Sequence, residues 1–208
     1  MSTFLTSDQH FGHRNILTID AGRPFASIEE HDETLIERWN AVVRPGDRVL
    51  HLGDFSLSVP EMERVVRRLN GDITLYAGNH DRCWTAHPSP KRSRKAHALV
   101  PRFLAAGFTG VVGSGHGFAQ VAGIDVMVAH LPADGDHADP KYAELGQRYA
   151  DQRPRSGDLP LVCGHVHAEW TTCFRQVNVG VDRWGFAPVH EDVIADVLRA
   201  LPGSAQSA

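Results

Sequence analysis

Residue types that bind metals recur in this chain as short, separated pieces. Asp8-Gln9-His10 and His165-Val166-His167 each hold two donors two positions apart. Asp54 follows Gly53, Asn79 and His80 follow Gly78, and His130 ends an apolar run. Imidazole and carboxylate together suit Zn, Mn or Fe, and the harder ions tolerate an amide oxygen. Asp8, His10, Asp54, Asn79, His130, His165 and His167 are too many for one tetrahedral centre. They suit two metals that share a bridging carboxylate. Residues two apart on an extended segment face the same way, so each of the two pairs should aim into one pocket. Singly these signals are weak. A lone D-x-H arises by chance, and a lone buried histidine is more often a satisfied core residue, which is the reading for His51. G-N-H-D, G-H-V-H and their order with D-x-H and G-D are far more specific.

The elements that must position these residues are legible as apolar runs that stop just before them. Thr3–Thr6, Arg48–Leu52, Ile73–Ala77, Asp125–Ala129, Leu159–Cys163 and Val177–Val181 have the length and composition of buried strands. Ser27-Ile28-Glu29-Glu30 reads as a capping box ahead of a helix with Ile28, Leu35, Ile36, Trp39 and Val43 on one face. Pro60–Leu69 and Glu191–Leu201 read as two further helices. This alternation predicts an α/β fold, and sites in such sheets form outside the carboxyl ends of strands. Asp81–Gly123 reads as less regular, with a loop at His87–Pro90, a run of positive charge at Lys91–Lys95 and a glycine-rich hairpin or loop at Val111–Gly123. The glycines lack P-loop spacing.

Together, Ser7-Asp8-Gln9-His10, Gly53-Asp54, Gly78-Asn79-His80-Asp81, His130 and Gly164-His165-Val166-His167 resemble the motifs of the calcineurin-like binuclear metallophosphoesterases. They follow that family's order from Thr3 to about Pro188, and Asn178-Val179-Gly180-Val181-Asp182 is similar to the small bacterial members. The resemblance implies a four-layer α/β/β/α sandwich of two mixed sheets with two divalent ions at its rim, Mn first, with Fe, Zn, Ni or Co as alternatives. It implies Asp8, His10, Asp54 and His167 as ligands of one ion, and Asp54, Asn79, His130 and His165 as ligands of the other. His80 matches the family's catalytic histidine, which binds no metal, with Asp81 orienting it. Leu57 stands where relatives often carry an acid or tyrosine, which argues against a tyrosinate ligand. Ala129 replaces the serine or glycine that many relatives carry, a harmless change.

Two divalent ions bring four positive charges, and Asp8 and Asp54 offset about half, leaving a field suited to a phosphate ester. The resemblance therefore implies a phosphodiesterase for a nucleotide-type or other small phosphodiester. It would act through a hydroxide bridging the ions, with His80 as acid or transition-state stabiliser. Alternatives with the same site are a phosphomonoesterase, a nucleotide pyrophosphatase and a DNA or RNA nuclease. A scaffold that had lost its chemistry should show eroded ligands, and none is eroded here. His13 and Arg82 are expected phosphate contacts, Asp134–His137 a turn with a weaker substrate role, and Lys91–Lys95 a solvated surface or a local nucleic-acid contact.

Composition bounds the rest. The 208 residues carry 42% hydrophobic and 22% charged side chains and a net charge of −4, without global attraction to nucleic acid or acidic membranes. The three cysteines lack metal or disulfide spacing, which fits a reducing compartment. No apolar run approaches the ~20 residues that span a bilayer. The opening stretch MSTFLTSDQH shows no signal-peptide core, so a cytoplasmic location is expected. One domain over residues 1–202 with a fraying tail at 203–208 is the expected organisation; nothing in the sequence indicates the oligomeric state.

Overall fold

Two mixed five-stranded sheets, in a computed structural model describing residues 1–19, 22–133 and 149–201, bring the motif loops to one rim. In the first sheet β1 (Thr3–Thr6), β2 (Arg48–His51), β3 (Asp72–Tyr76) and β4 (Gly110–Val112) run parallel. In the second, β5 (His116–Val121) and β6 (Ile124–Ala129) form a hairpin, and β7 (Leu161–Cys163) joins β6 in parallel. A two-residue strand, β8 (Thr172–Cys173), lies antiparallel to β9 (Gln176–Asn178), which is itself parallel to β7. The two-residue β10 (Val189–His190) closes the β1 edge of the first sheet antiparallel, giving the orders β10-β1-β2-β3-β4 and β5-β6-β7-β9-β8.

Strand periodicity decides which core each side chain enters. Leu5, Leu50 and Tyr76 face Val126, Val128, Val162 and Val177 across the space between the sheets. Their sequence neighbours Phe4, Val49 and Leu75 face the other way, onto the helices α1 (Ile28–Val42), α2 (Val59–Val66) and α3 (Pro90–Ala106). A last helix, α4 (Glu191–Ala200), puts Ile194, Ala195 and Leu198 into the core between the sheets. Burying such side chains stabilises the fold by about 1.5–3 kcal/mol each. The two-sheet α/β sandwich is the expected one. Among the described residues no helix is long and apolar enough to cross a membrane.

Local signals account for the helix starts. Ser27 Oγ accepts from Glu30 N at 3.1 Å, while Glu30 Oε2 reaches one residue further back than a capping box requires, to Ala26 N at 2.7 Å. Ser58 caps α2 with Pro60 in the first turn. The segment read as irregular contains instead the 17-residue α3, followed by β4, while its glycine-rich end does enter a hairpin, β5 with β6. The apolar stripe of α3 is thin, with only Ala96, Phe103 and Ala106 buried, and Pro101 interrupts it, so the periodicity was faint. The turn expected at Asp134–His137 and the expected tail at 203–208 lie outside the described residues.

Candidate metal centre

Three of the strand-end loops come from the first sheet, after β1, β2 and β3. Backbone bonds tie the loop after β1 to the second sheet: Ser7 N donates to Val179 O and Val181 N donates to Ser7 O, both at 3.1 Å. Within the second sheet, Gly164 N donates to His130 O at 3.1 Å. The close approaches explain two motif glycines. A Cβ on Gly78 would meet the backbone and carboxylate of Asp54, and one on Gly164 would meet Ser7 and Asp8.

Eight non-glycine residues among those described have positive φ, and five are expected donors: Asp8 (63°), His10 (54°), Asp54 (55°), His165 (74°) and His167 (43°). Each such conformation costs about 1–3 kcal/mol and persists only where the surroundings impose it. This corrects the expectation that strand pleat aligns the pairs, because β1 and β7 have already ended and the chain turns left-handed at each donor. Asp8 and His10 do converge, with His10 Nε2 4.0 Å from Asp8 Oδ1. His165 and His167 meet different neighbours. His167 Nε2 lies 3.2 Å from His10 Nε2, whereas the His165 ring packs edge-on against His130 with centroids 5.2 Å apart.

Asp54 stands at the middle. Its Oδ2 lies 3.4 Å from His130 Nε2, 3.6 Å from His10 Nε2 and 4.0 Å from His80 Nε2, while Oδ1 accepts from His80 N at 2.9 Å. His130 Nε2 is 2.9 Å from Asn79 Oδ1, and His130 Nδ1 donates to Leu52 O at 2.8 Å. That second bond fixes the ring orientation in the manner of metal-binding histidines.

The donor set fits divalent cations. Asp8 is fully buried, with Oδ2 accepting from Ser7 Oγ (2.6 Å) and His165 N (2.9 Å). Its Oδ1 has no hydrogen-bond partner among the described residues, yet lies 3.8 Å from His167 Nε2. A buried acceptor left so costs about 1–3 kcal/mol. Donor atoms of Asp8, His10 and His167 all fall within 4.8 Å of one another, as do those of Asp8, Asp54 and His130. Burial, reinforced by His130, holds His165 well below the usual imidazole range, and burial likewise lowers His10 against the pull of Asp54. Both therefore offer the neutral ring that ligation needs. For Asp54, burial is outweighed by His130 and His80, which keep its carboxyl well below the usual range.

Asp81 occupies a different place from the one expected. Its Oδ2 accepts from the N–H groups of Asp54 and Gly78 at 2.8 Å, and its Oδ1 from those of Phe55 (3.0 Å) and Ser56 (3.4 Å). It pins the G-D loop to the G-N-H-D loop, and no hydrogen bond joins it to the His80 ring among the described residues. His80 itself is 44% exposed at the side chain. His13 sits beside it, with ring centroids 6.3 Å apart and 5.5 Å from His10. Arg82 spends its Nε on Leu57 O at 2.9 Å. His51 is fully buried, stacked on Trp39, as a core residue.

Sequence reasoning missed Arg23. This buried guanidinium donates to the carbonyls of Asp8 (2.6 Å) and Gln9 (2.9 Å), to both carboxylate oxygens of Asp182 (2.9 and 2.8 Å) and to His31 Nε2 (2.8 Å). Arginine can only donate, so His31 Nε2 accepts and its Nδ1–H faces Asp32 Oδ1 at 2.8 Å. Asp32 in turn accepts from Gly12 N at 3.0 Å. The D-x-H loop is thus held by a polar chain reaching from α1 to Asp182. Asn178 does the same for the H-x-H loop, donating to His167 O at 2.8 Å. The only sequence signal was the Asn178–Asp182 stretch.

Comparison with known proteins agrees in fold. The chain is 32% identical over 213 aligned residues to the Gene 66 protein of Mycobacterium phage L5, covering 95% of this chain and 94% of that protein. An uncharacterized protein of Methanocaldococcus jannaschii is 44% identical over 82 residues, 38% of this chain and 46% of that one. A solved structure of a protein of unknown function from Aquifex aeolicus superposes with a TM-score of 0.65 at 21% identity, over 94% of this chain and 98% of that one. No family model matches.

Proposed function

We propose an activity for a chain that belongs to the family of the Gene 66 protein of Mycobacterium phage L5: it is a metal-dependent phosphoesterase, and within that class a phosphodiesterase with two Mn ions. One observation carries the reading. The Asp54 carboxylate has three imidazole Nε2 atoms within 4.0 Å, beside an Asp8 Oδ1 that has no hydrogen-bond partner among the described residues. Two of the three, from His10 and His130, come from the two expected ligand sets, which supports reading Asp54 as a carboxylate shared between two cation sites. Asp8, His10, Asp54 and His167 would hold one ion, and Asp54, Asn79, His130 and His165 the other.

Bound divalent cations supply positive charge for the phosphate and make water acidic enough to attack phosphorus near neutral pH. The chain's own residues do the rest. His80, exposed and with no ring hydrogen bond among the described residues, is free to give a proton to the leaving oxygen. Its backbone N–H on Asp54 fixes it next to that carboxylate. His13 borders the same opening and would contact the phosphate oxygens. The test is turnover of bis-p-nitrophenyl phosphate by the Mn-loaded protein. If neither that diester nor p-nitrophenyl phosphate is hydrolysed with Mn, Fe, Zn, Ni or Co, the reading is wrong.

A further inference from the structure

A cleft of about 300 Å³ opens directly beside His80. Asn79, His80, Asp81, Arg82 and His87 line it from the G-N-H-D side, where backbone N–H groups already take both carboxylate oxygens of Asp81. Arg92 and Lys95 line it from the first turns of α3, the second wall. Ala96 and Leu99 give that second wall an apolar strip, and Trp84 lines the cleft between them. The volume is at the lower edge of small-molecule sites and exceeds what one phosphate needs.

The cleft gathers cations that no carboxylate among the described residues neutralises. Several exposed arginines elsewhere do meet carboxylates: Arg64 with Glu61, Arg68 with Glu33, Arg199 with Asp196, and on α3 itself Arg102 with Glu63. Among the described residues, none of Arg82, Arg92 and Lys95 pairs with a carboxylate. Arg92 reaches only the ring of His87, at 3.2 Å. The first turn of α3 carries no acid and its N-cap Ser89 makes no side-chain capping bond. Cations there oppose the helix dipole, whose positive end also points toward an anion. Three unpaired cations and an uncompensated helix start therefore converge on a pocket that shares His80 with the metal centre.

We propose that this cleft binds the leaving group of the substrate, and that this leaving group carries a phosphate of its own. The inference rests on the phosphodiesterase reading above. The water oxygen bonds to the scissile phosphorus, the ester P–O bond breaks with its electrons on the leaving oxygen, and His80 protonates that oxygen. The proton released by water restores His80. Arg92 and Lys95 then hold the second phosphate, and Ala96 and Leu99 lie against the sugar or base between them. The ligand class is a nucleotide bearing a further phosphate, from either a dinucleoside polyphosphate or an oligonucleotide.

The experiment is calorimetric binding of adenosine 3′,5′-bisphosphate and adenosine 5′-monophosphate to the Mn-loaded full chain. Wild type should prefer the bisphosphate by roughly tenfold or more. Arg92→Ala with Lys95→Ala should bring the two ligands to within about threefold, while the charge-matched pair Arg44→Ala with Arg199→Ala keeps the preference. Equal binding in wild type, preference retained by the first pair, or preference lost in the second pair overturns the subsite. Bis-p-nitrophenyl phosphate has no second phosphate, so the two readings fail separately. Its turnover without a bisphosphate preference sinks the subsite alone, and the preference without turnover by any metal sinks the activity alone. Diadenosine tetraphosphate and a 5′-phosphorylated trinucleotide, used as substrates, identify the source. The one that belongs there loses roughly tenfold in kcat/KM in the Arg92/Lys95 variant, and loss in neither counts against the proposal.

Discussion

The Nε2 atoms of His10 and His167, from loops 157 residues apart, face each other at 3.2 Å beside the buried Asp8 carboxylate. Two imidazole nitrogens can share one proton, but the Asp8 Oδ1 next to them has no donor among the described residues. A divalent cation satisfies all three atoms at once. The purified protein should therefore bind two Mn ions per chain by elemental analysis. His167→Ala should retain about one and Asp54→Asn fewer than one, because Asp54 would serve both ions. Stoichiometry unchanged in Asp54→Asn would remove it from the bridging position.

His80 differs from the histidines expected as ligands by its exposure, and no hydrogen bond ties down its ring nitrogens among the described residues. A general acid needs that freedom, whereas a ligand needs to be fixed. His80→Ala should lower kcat for bis-p-nitrophenyl phosphate about 10²–10⁴-fold with bound metal unchanged. Loss of metal in that variant would make His80 a ligand.

Arg23 carries a prediction about architecture. Its guanidinium is buried, and replacing it leaves Asp182 unpaired and the carbonyls of Asp8 and Gln9 without donors. Breaking a buried pair from one side costs about 3–5 kcal/mol. Arg23→Met should show that loss in urea denaturation of the metal-free protein, and should weaken Mn binding because the D-x-H loop loses its support. Arg23→Lys should fall between, since a lysine cannot span the two carbonyls and the carboxylate together. A stability within 1 kcal/mol of wild type would mean that the loop holds itself.

The donors were legible in sequence because few accidents place aspartate, histidine and glycine at those spacings in that order. Their conformations were not. Nothing in D-Q-H or H-V-H announces left-handed backbone, since only glycine signals it reliably and the strain is imposed by tertiary contacts. Arg23 escaped notice because a single arginine in a loop reads as solvent-exposed until a buried carboxylate and two carbonyls are found around it. The helix α3 escaped because Pro101 and a three-residue buried stripe hide its period, although Ser89-Pro90 was a valid start signal. With it went the basic wall of the cleft, which in sequence was only a charge run.

His51 supplies a pH prediction whose sign can be worked out. It is fully buried against Trp39, its Nδ1 accepts from Gly53 N at 3.1 Å, and its Nε2 has no hydrogen-bond partner among the described residues. Burial first, and the charge of His130 second, push its pKa down to about 3 from an ordinary value of 6.5. Between those values the unfolded chain binds a proton that the folded chain refuses, so stability rises with pH in that window. The contribution is complete above pH 6.5 and drains away as pH falls toward 3. His51→Asn keeps an acceptor for Gly53 N but cannot titrate. In EDTA, so that metal release plays no part, wild-type Tm should fall between pH 7 and pH 4.5 by roughly 5 °C more than that of the variant. Parallel Tm curves for the two proteins would show that His51 is protonated in the fold and that its burial exerts no such effect.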